Sequence, residues 1–351
     1  MSTDPNRTSQ SVYTGQDNAG RHILADSTLV HFPVNLFASV MGFAGLTLAW
    51  MAAGQIGVAG ADAIGAVLRV FTTVLFLGLV LAYTFKTAWY FPAVRAEFEH
   101  PVKLNFFATI PIGAILLAQL WLPAYDGIAR FLWATGTIGM LVSTLATVNS
   151  WLHQERFQPG HVNPAWFIPV VGNMLIPVAG VPLGYVELSW FFFSTGFVFW
   201  MIMMTIVIAR LIFHKPLASR LQPTLFILLA PPAVGFLALH ALETNGLTTL
   251  TRVLFYTGLF IGLLLASNLT RFMRLPFFVS GWAYAFPVAA LTLAAIRMFT
   301  LTQYAGLAIL SVGLLAALSF LVAVLTVKTI KAGLGGDLFG PEPAPEPAQQ
   351  R

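Results

Sequence analysis

Ten long apolar stretches constrain the fold of this chain more than any other feature of its sequence. Each approaches the roughly 20 residues that an α-helix needs to cross the hydrocarbon core of a bilayer. They lack the period-two alternation of a transmembrane barrel, so an all-α helical bundle is predicted. The predicted spans are 33–53, 64–88, 105–124, 128–151, 165–183, 188–210, 223–242, 249–268, 276–298 and 303–328.

Composition excludes several classes of protein. The 351 residues are 58% hydrophobic and 9% charged, whereas soluble proteins carry about 25% charged residues. A soluble enzyme, a nucleic-acid binder and a disordered protein are therefore excluded. The chain has no cysteine, so it can form no disulfide, thiolate metal site or cysteine nucleophile.

Two polar tails flank the predicted membrane domain, which comprises residues 32–330. Residues 1–31 lack the apolar run and small-residue cleavage site of a signal peptide, so we expect a polar cytoplasmic tail. Residues 331–351 are rich in Gly and Pro and poor in apolar side chains, so we expect a second, disordered cytoplasmic tail.

The distribution of lysine and arginine predicts the orientation. With ten crossings, 14 of the 18 basic residues lie on the side that carries both termini. The positive-inside rule places that side in the cytoplasm. The sequence therefore predicts a multi-pass plasma-membrane protein of the bacterial inner-membrane type. Its net charge of +5 is explained by the excess of basic residues on the cytoplasmic side, so it gives no indication of nucleic-acid binding.

Proline occurs only in the odd-numbered predicted spans. Proline removes a backbone donor and bends a helix, which frees a carbonyl group. Such a carbonyl is tolerated where a neighbouring helix or a water-filled cavity can bond it. We therefore expect five helical hairpins, with kinked odd-numbered helices lining a central pore and even-numbered helices outside. The prolines of these spans include Pro33, Pro111, Pro169, Pro177, Pro231, Pro232 and Pro287.

Four segments resemble the tellurite-resistance/dicarboxylate transporter family, which includes plant guard-cell slow anion channels, fungal malate carriers and sulfite efflux pumps. The segments are HFPVNLFASVMGFAGLTLAW (31–50), NPAWFIPVVGNMLIPVAG (163–180), QPTLFILLAPPAVGFLAL (222–239) and SGWAYAFPVAALTLAAIR (280–297). The resemblance extends from about residue 31 to residue 330. It implies a homotrimer in which each subunit has its own pore, formed by five inner helices and ringed by five outer ones.

The resemblance also implies a gate. In that family a phenylalanine on the ninth helix occludes the pore, and the matching residue here is Phe286. An aromatic ring beside Pro287 suits the closing of a narrow pore by dewetting. His240 and Arg297 are candidates for an outer vestibule. Helix and motif position give the pore-lining candidates Phe37, Pro111, Gly113, Pro169, Asn173, Phe226, Pro231 and Pro287.

The predicted interior contains no aspartate or glutamate away from a helix end, which suits the passage of anions. Chloride and nitrate are the first candidates, followed by malate, sulfite and tellurite-related oxyanions. Because the titratable residues Glu187, His240 and Glu243 lie only near span ends, passive flow is favoured. A proton-coupled carrier of C4-dicarboxylates or sulfite is the alternative.

No enzymatic site is predicted. The spans lack the facing histidines of a haem protein, an embedded nucleophile with its base and a phosphate-binding glycine loop. We therefore expect a non-enzyme without cofactor or metal. Its expected partners are small inorganic or dicarboxylate anions, the lipid bilayer and further copies of the chain.

Overall fold

A computed structural model describes residues 29–155, 157–243, 246–336 and 338. This part of the chain is helical and contains no strand. Nine of its helices are long and apolar enough to cross a membrane, and a shorter apolar segment lies between the fourth and fifth of them. In chain order the ten segments are α1 (Val34–Gly54), α2 (Ala61–Trp89), α3 (Lys103–Trp121), α4 (Asp126–His153), α5 (Pro164–Gly180), α6 (Val186–Phe213), α7 (Ser219–Leu242), α8 (Thr249–Ala266), α9 (Val279–Thr302) and α10 (Ala305–Leu334).

The segments form five successive hairpins, as the sequence predicts. Each odd-numbered segment packs against the even-numbered segment that follows it. The links inside a hairpin are short; α9 and α10, for example, are separated only by residues 303–304. Three of the four links between hairpins are longer, and two of these contain the short helices Phe91–Glu99 and Leu269–Met273. The five odd-numbered segments therefore all begin on one side of the bundle.

Burial separates the odd-numbered helices from the even-numbered ones. Within an 18-residue apolar stretch of each helix, 72–78% of the residues are buried in α1, α3, α7 and α9, against 22–33% in α2, α4, α6, α8 and α10. In α5 every residue but Val178 is buried. An inner ring of odd-numbered helices and an outer ring of even-numbered helices are thus confirmed.

The predicted count of ten full-length spans is not confirmed, because α5 has only 17 residues. One 3₁₀ stretch, Pro164–Phe167, precedes its α-helical turns, and a second, Gly172–Leu175, interrupts them. A 3₁₀ helix rises about 2.0 Å per residue and an α-helix about 1.5 Å. The segment is therefore roughly 30 Å long, which is close to the thickness of a hydrocarbon core.

All five inner helices share a change of helix type. Each begins with a 3₁₀ stretch on the side of the termini and then continues as an α-helix. In α3, α7 and α9 the prolines stand in the first α-helical turn. A missing N–H is tolerated there because the hydrogen bonding already changes from one register to the other. The 3₁₀ stretches are Val34–Phe37, Lys103–Ala108, Pro164–Phe167, Ser219–Leu229 and Val279–Tyr284.

Two predicted boundaries change. α10 continues to Leu334, four residues into the segment expected to be a tail, because the apolar pattern is followed by the helix-compatible residues Lys331 and Ala332. α2 begins at Ala61, three residues before the predicted start at residue 64, and its last turn contains Lys86. The predicted tails otherwise fall largely on residues 1–28 and 339–351, outside the described part of the chain.

Small residues bring α1 and α9 close together. A Cβ atom built on Gly42 would lie 2.8 Å from the Cβ of Ala285, and one built on Gly45 would lie 2.6 Å from the Cβ of Ala289. Helix association in lipid depends on this kind of close packing, since apolar surface gains little from leaving a lipid environment. The contact fixes α9 against the rest of the inner ring.

We expect Gly45→Val to destabilise the protein by about 1–3 kcal/mol, because the added methyl groups force α1 and α9 apart. Thermal unfolding of the purified protein in detergent measures the loss. Gly78→Val in α2 is the matched control, since a Cβ there meets nothing within 4 Å. Equal unfolding temperatures for the two variants would contradict the importance of this contact.

Candidate functional site

The five inner helices enclose a cavity of about 60 Å³, which we call the central cavity. Every inner helix contributes to its wall, so the cavity lies on the axis of the inner ring. The lining residues are Ala38 and Met41 of α1, Phe106, Thr109 and Ile112 of α3, Phe167, Ile168, Val171, Gly172 and Leu175 of α5, Ile227, Ala230, Pro231 and Val234 of α7, and Trp282, Ala283, Phe286 and Pro287 of α9.

The polar side chains in this wall direct their donors away from the cavity. The Thr109 hydroxyl donates to the carbonyl oxygen of Phe106 at 2.5 Å. The indole N–H of Trp282 donates to the hydroxyl of Thr329 in α10 at 2.9 Å. The remaining lining side chains are apolar. An ion that entered this space would lose hydration without gaining a side-chain hydrogen bond, so the cavity is a barrier to ions in this conformation.

Phe286 is the second residue of the α-helical part of α9 and lies in the cavity wall. Its side chain is 8% exposed and packs beside α1, where a Cβ on Gly45 would come within 3.6 Å of the ring. Pro287 follows it on the same wall, and Pro231 contributes from α7. Three of the residues that the sequence singled out for the pore therefore meet at the central cavity.

Three other predicted pore-lining residues face outer helices instead. Phe37 is fully buried, and its ring meets those of Phe76 and Tyr83 in α2 at 6.5 and 5.9 Å. Gly113 lies beside Phe76 as well, since a Cβ on it would come within 2.9 Å of that ring. Pro111 packs against Gly139 of α4. These three residues therefore lie against outer helices and outside the wall of the central cavity, because their position along the chain did not fix the rotation of α1 and α3 about their axes.

Pro169 and Asn173 are tied to α4 and do not line the cavity. The Thr144 hydroxyl donates to the carbonyl oxygen of Pro169 at 2.7 Å. The Asn173 side-chain amide donates to Thr144 Oγ1 and to the carbonyl oxygen of Val170, both at 2.9 Å. An outer helix therefore supplies the hydrogen bonds that the broken backbone of α5 needs, as expected of irregular backbone at membrane depth.

Phe226 lies outside the cavity wall, beside the rings of Phe272 and Tyr284 at 5.1 and 4.7 Å. It stands in the 3₁₀ part of α7, on the side of the bundle where the inner helices begin. The next residue, Ile227, takes the place on the wall that was predicted for Phe226.

A second cavity, which we call the vestibule, lies where the inner helices end and has a volume of about 740 Å³. Its wall includes Gln55 after α1, His240 and Glu243 at the end of α7, and Arg297 of α9. Arg297 Nε donates to His240 Nε2 at 2.8 Å. The structure thus brings both predicted vestibule residues together, although 57 positions separate them.

Sequence reasoning missed an ion pair at the opposite end of the bundle. Lys86 Nζ lies 3.0 Å from Glu97 Oε2, and the two side chains are 1% and 10% exposed. The Tyr83 hydroxyl donates to the same carboxylate oxygen at 2.8 Å, and Lys86 also donates to the carbonyl oxygen of Phe32 at 2.7 Å. The pair joins α2, the helix Phe91–Glu99 and the start of α1. No local sequence pattern predicts this ion pair, because Lys86 and Glu97 lie on two helices separated by a turn.

Most residues of the cavity wall also escaped the sequence analysis. A signal does exist, since the lining positions of an inner helix recur every three or four residues, as in Phe106, Thr109 and Ile112. This periodicity predicts the other lining residues of a helix only when one of its lining positions is already known.

Comparison with known proteins places these features in context. A family model described as voltage-dependent anion channel matches residues 31–330. The S-type anion channel SLAH2 of Arabidopsis thaliana is 26% identical over 319 residues, which cover 89% of this chain and 61% of the plant protein. The tellurite resistance protein TehA homolog of Haemophilus influenzae is 25% identical over 86% of this chain and 92% of its own length. An uncharacterized transporter of Methanocaldococcus jannaschii is 27% identical over 77% of this chain and 85% of its own length.

Proposed function

Because the chain belongs to the voltage-dependent anion channel family, we propose that it conducts small monovalent anions passively through its central cavity, with Phe286 as the gate. The coarser statement, that this is a multi-pass membrane protein of an anion-transporting family, follows from the family match and the apolar helices.

One observation supports the proposal above the others. The central cavity is walled by all five inner helices and contains the Phe286 ring. It is closed by apolar groups and has no acidic residue in its wall. A hydrophobic constriction of this kind excludes ions while it is narrow and admits them when it widens and hydrates.

The apolar wall also favours some anions over others. It offers little to replace a lost hydration shell, and the cost of removing that shell grows steeply with charge. Weakly hydrated monovalent anions should therefore cross most readily. Malate, sulfite and tellurite-related dianions should cross least readily, and on this proposal tellurite resistance would be an indirect outcome of anion movement.

We expect nitrate to permeate better than chloride, and chloride at least about ten-fold better than sulfite or malate. A ten-fold ratio requires a difference of only ~1.4 kcal/mol between the barriers for the two anions. Reversal potentials in planar bilayers under bi-ionic conditions measure these ratios. Equal or higher permeability for the dianions would contradict the dehydration argument.

The same bilayer experiment tests the proposal against the carrier alternative. A passive channel gives currents whose reversal potential follows the anion gradient. A proton-coupled carrier would give no such current, and proteoliposomes containing it would accumulate malate or sulfite only when a pH gradient is imposed. That outcome would overturn the channel proposal.

We further propose a homotrimer in the plasma membrane, with both termini in the cytoplasm and one pore in each subunit. The basic residues on the terminal side support the orientation. The apolar outer faces of the even-numbered helices, such as Phe131 and Ile138 of α4 and Phe260 of α8, are available to lipid or to a second copy. Native mass spectrometry in detergent measures the subunit number, and cysteine labelling from each side tests the orientation in this cysteine-free chain.

A further inference from the structure

The vestibule contains a hydrogen bond whose direction fixes the charge of a histidine. Arg297 Nε lies 2.8 Å from His240 Nε2. Arginine stays protonated in proteins and has donors only. The Arg297 N–H must therefore donate and the His240 nitrogen must accept, so the imidazole is neutral and carries its proton on Nδ1.

Arg297 still has donors to offer a ligand. Its side chain is exposed along the vestibule wall. Among the described residues, the hydrogen bond that its guanidinium makes is the one from Nε to His240, so the N–H groups on the other two nitrogens can bind a ligand. The guanidinium geometry suits chloride or the planar, charge-delocalised nitrate ion. The vestibule, with a volume of about 740 Å³, has room for a hydrated anion beside it.

Protonation of His240 would change this arrangement. An imidazolium cannot accept a hydrogen bond at Nε2, and two cations would then face each other at close range. An anion between them would satisfy both sets of donors and remove the repulsion. Protonation and anion binding would therefore favour each other, and by linkage each would do so to the same extent.

We propose that Arg297 and His240 form an anion-binding site that takes up a proton together with its anion, so that acid on the vestibule side strengthens the capture of chloride or nitrate. This inference rests on the proposed function only in making the vestibule an entrance to the pore. The binding site itself does not require conduction.

Glu243 acts against capture at neutral pH. Glu243 lines the same cavity, and its Oε2 is buried without a hydrogen-bond partner in the described part of the chain. As a carboxylate it repels an anion at the Arg297 guanidinium.

Other charged or titratable groups on the neighbouring helices do not line the vestibule. Glu187 of α6 and Arg252 and Tyr256 of α8 are exposed elsewhere. Tyr185 stacks on Trp133 of α4. α5, whose end also lines the vestibule, carries no titratable side chain. Arg297, His240 and Glu243 are therefore the charged or titratable residues that line the vestibule. The carboxylate of Asp62 in α2 lies beside Gly54, the residue before the vestibule-lining Gln55.

Nitrogen-15 NMR of the histidine side chains tests the binding site directly, using the full-length protein in lipid nanodiscs. His240→Gln assigns the His240 signals. At neutral pH in gluconate we expect Nε2 to be unprotonated. Replacing gluconate by nitrate at constant ionic strength should move the His240 titration midpoint upward by about 0.7 pH unit, which corresponds to a coupling of about five-fold.

Matched variants separate the contributions. Arg297→Gln should abolish the nitrate-induced shift, and Arg297→Lys should retain part of it, which guards against a merely misfolded variant. Glu243→Gln should strengthen nitrate binding at neutral pH. Identical titration midpoints in nitrate and gluconate, or a protonated Nε2 at neutral pH, would overturn the proposal.

Currents distinguish failure of this proposal from failure of the proposed function. In the Phe286→Ala background, acidifying the vestibule side from about pH 8 to about pH 5.5 should raise anion current about three-fold, and His240→Gln should flatten the response. Anion currents without a nitrate-dependent titration would refute the coupled site and leave the channel intact. A nitrate-dependent titration without any current would refute the channel and leave the site intact.

Discussion

Phe286→Ala is expected to raise anion conductance by about ten-fold or more, equivalent to removing at least ~1.4 kcal/mol from the barrier. The ring lies in the wall of a cavity of about 60 Å³ with no free side-chain donor among its lining residues. Removing it widens the apolar central cavity, so water and then ions can enter. Single-channel or macroscopic current in planar bilayers measures the change.

The matched control is Phe299→Ala on the same helix. Phe299 is partly buried and lines neither cavity. Its replacement should leave the current near that of the unmodified protein. A rise in both variants would indicate general loosening of α9, and no rise in Phe286→Ala would exclude this ring as the gate.

Lys86→Met is expected to destabilise the protein by about 3–5 kcal/mol, because it leaves a buried carboxylate without its cation. Glu97 is 8% exposed and would keep the hydrogen bond from the Tyr83 hydroxyl. The start of α1 would also lose the Lys86 bond to the carbonyl oxygen of Phe32. Thermal or denaturant unfolding in detergent measures the loss.

Two comparisons make this prediction specific. The double variant Lys86→Met, Glu97→Met removes both charges and should recover much of the lost stability, because a buried pair can often be replaced by apolar side chains. Arg95→Met breaks an exposed pair with Glu99 in the neighbouring helix, and it should change stability little. If the double variant were as unstable as the single one, packing rather than an unpaired charge would explain the effect.

The sequence predicts the helices well and their rotations poorly. The bounds of the spans follow from hydropathy, because an apolar run of this length has one stable arrangement in lipid. The inner position of the odd-numbered helices follows from their prolines. Ala38 and not Phe37 lines the cavity, however, and this depends on how α1 packs against Phe76 and Tyr83.

Contacts between residues that lie far apart in the sequence could not be predicted either. The bond from Arg297 to His240 requires the relative depth and rotation of α7 and α9, which no local pattern contains. The short α5 was overestimated because its two 3₁₀ stretches cannot be recognised from an apolar sequence. The hydroxyl of Thr144, supplied from another helix, bonds the carbonyl of Pro169 there.

The two cavities should differ in their response to ionic strength. Counterions screen the field of exposed charges over about 10 Å at 0.1 M salt, so attraction of anions by Arg297 in the vestibule should weaken as salt rises. The central cavity has no charge in its wall to be screened. The free-energy barrier that this apolar cavity presents to an anion should therefore be the same at low and at high salt. The salt dependence of the current then distinguishes a variant that alters the vestibule from one that alters the central cavity.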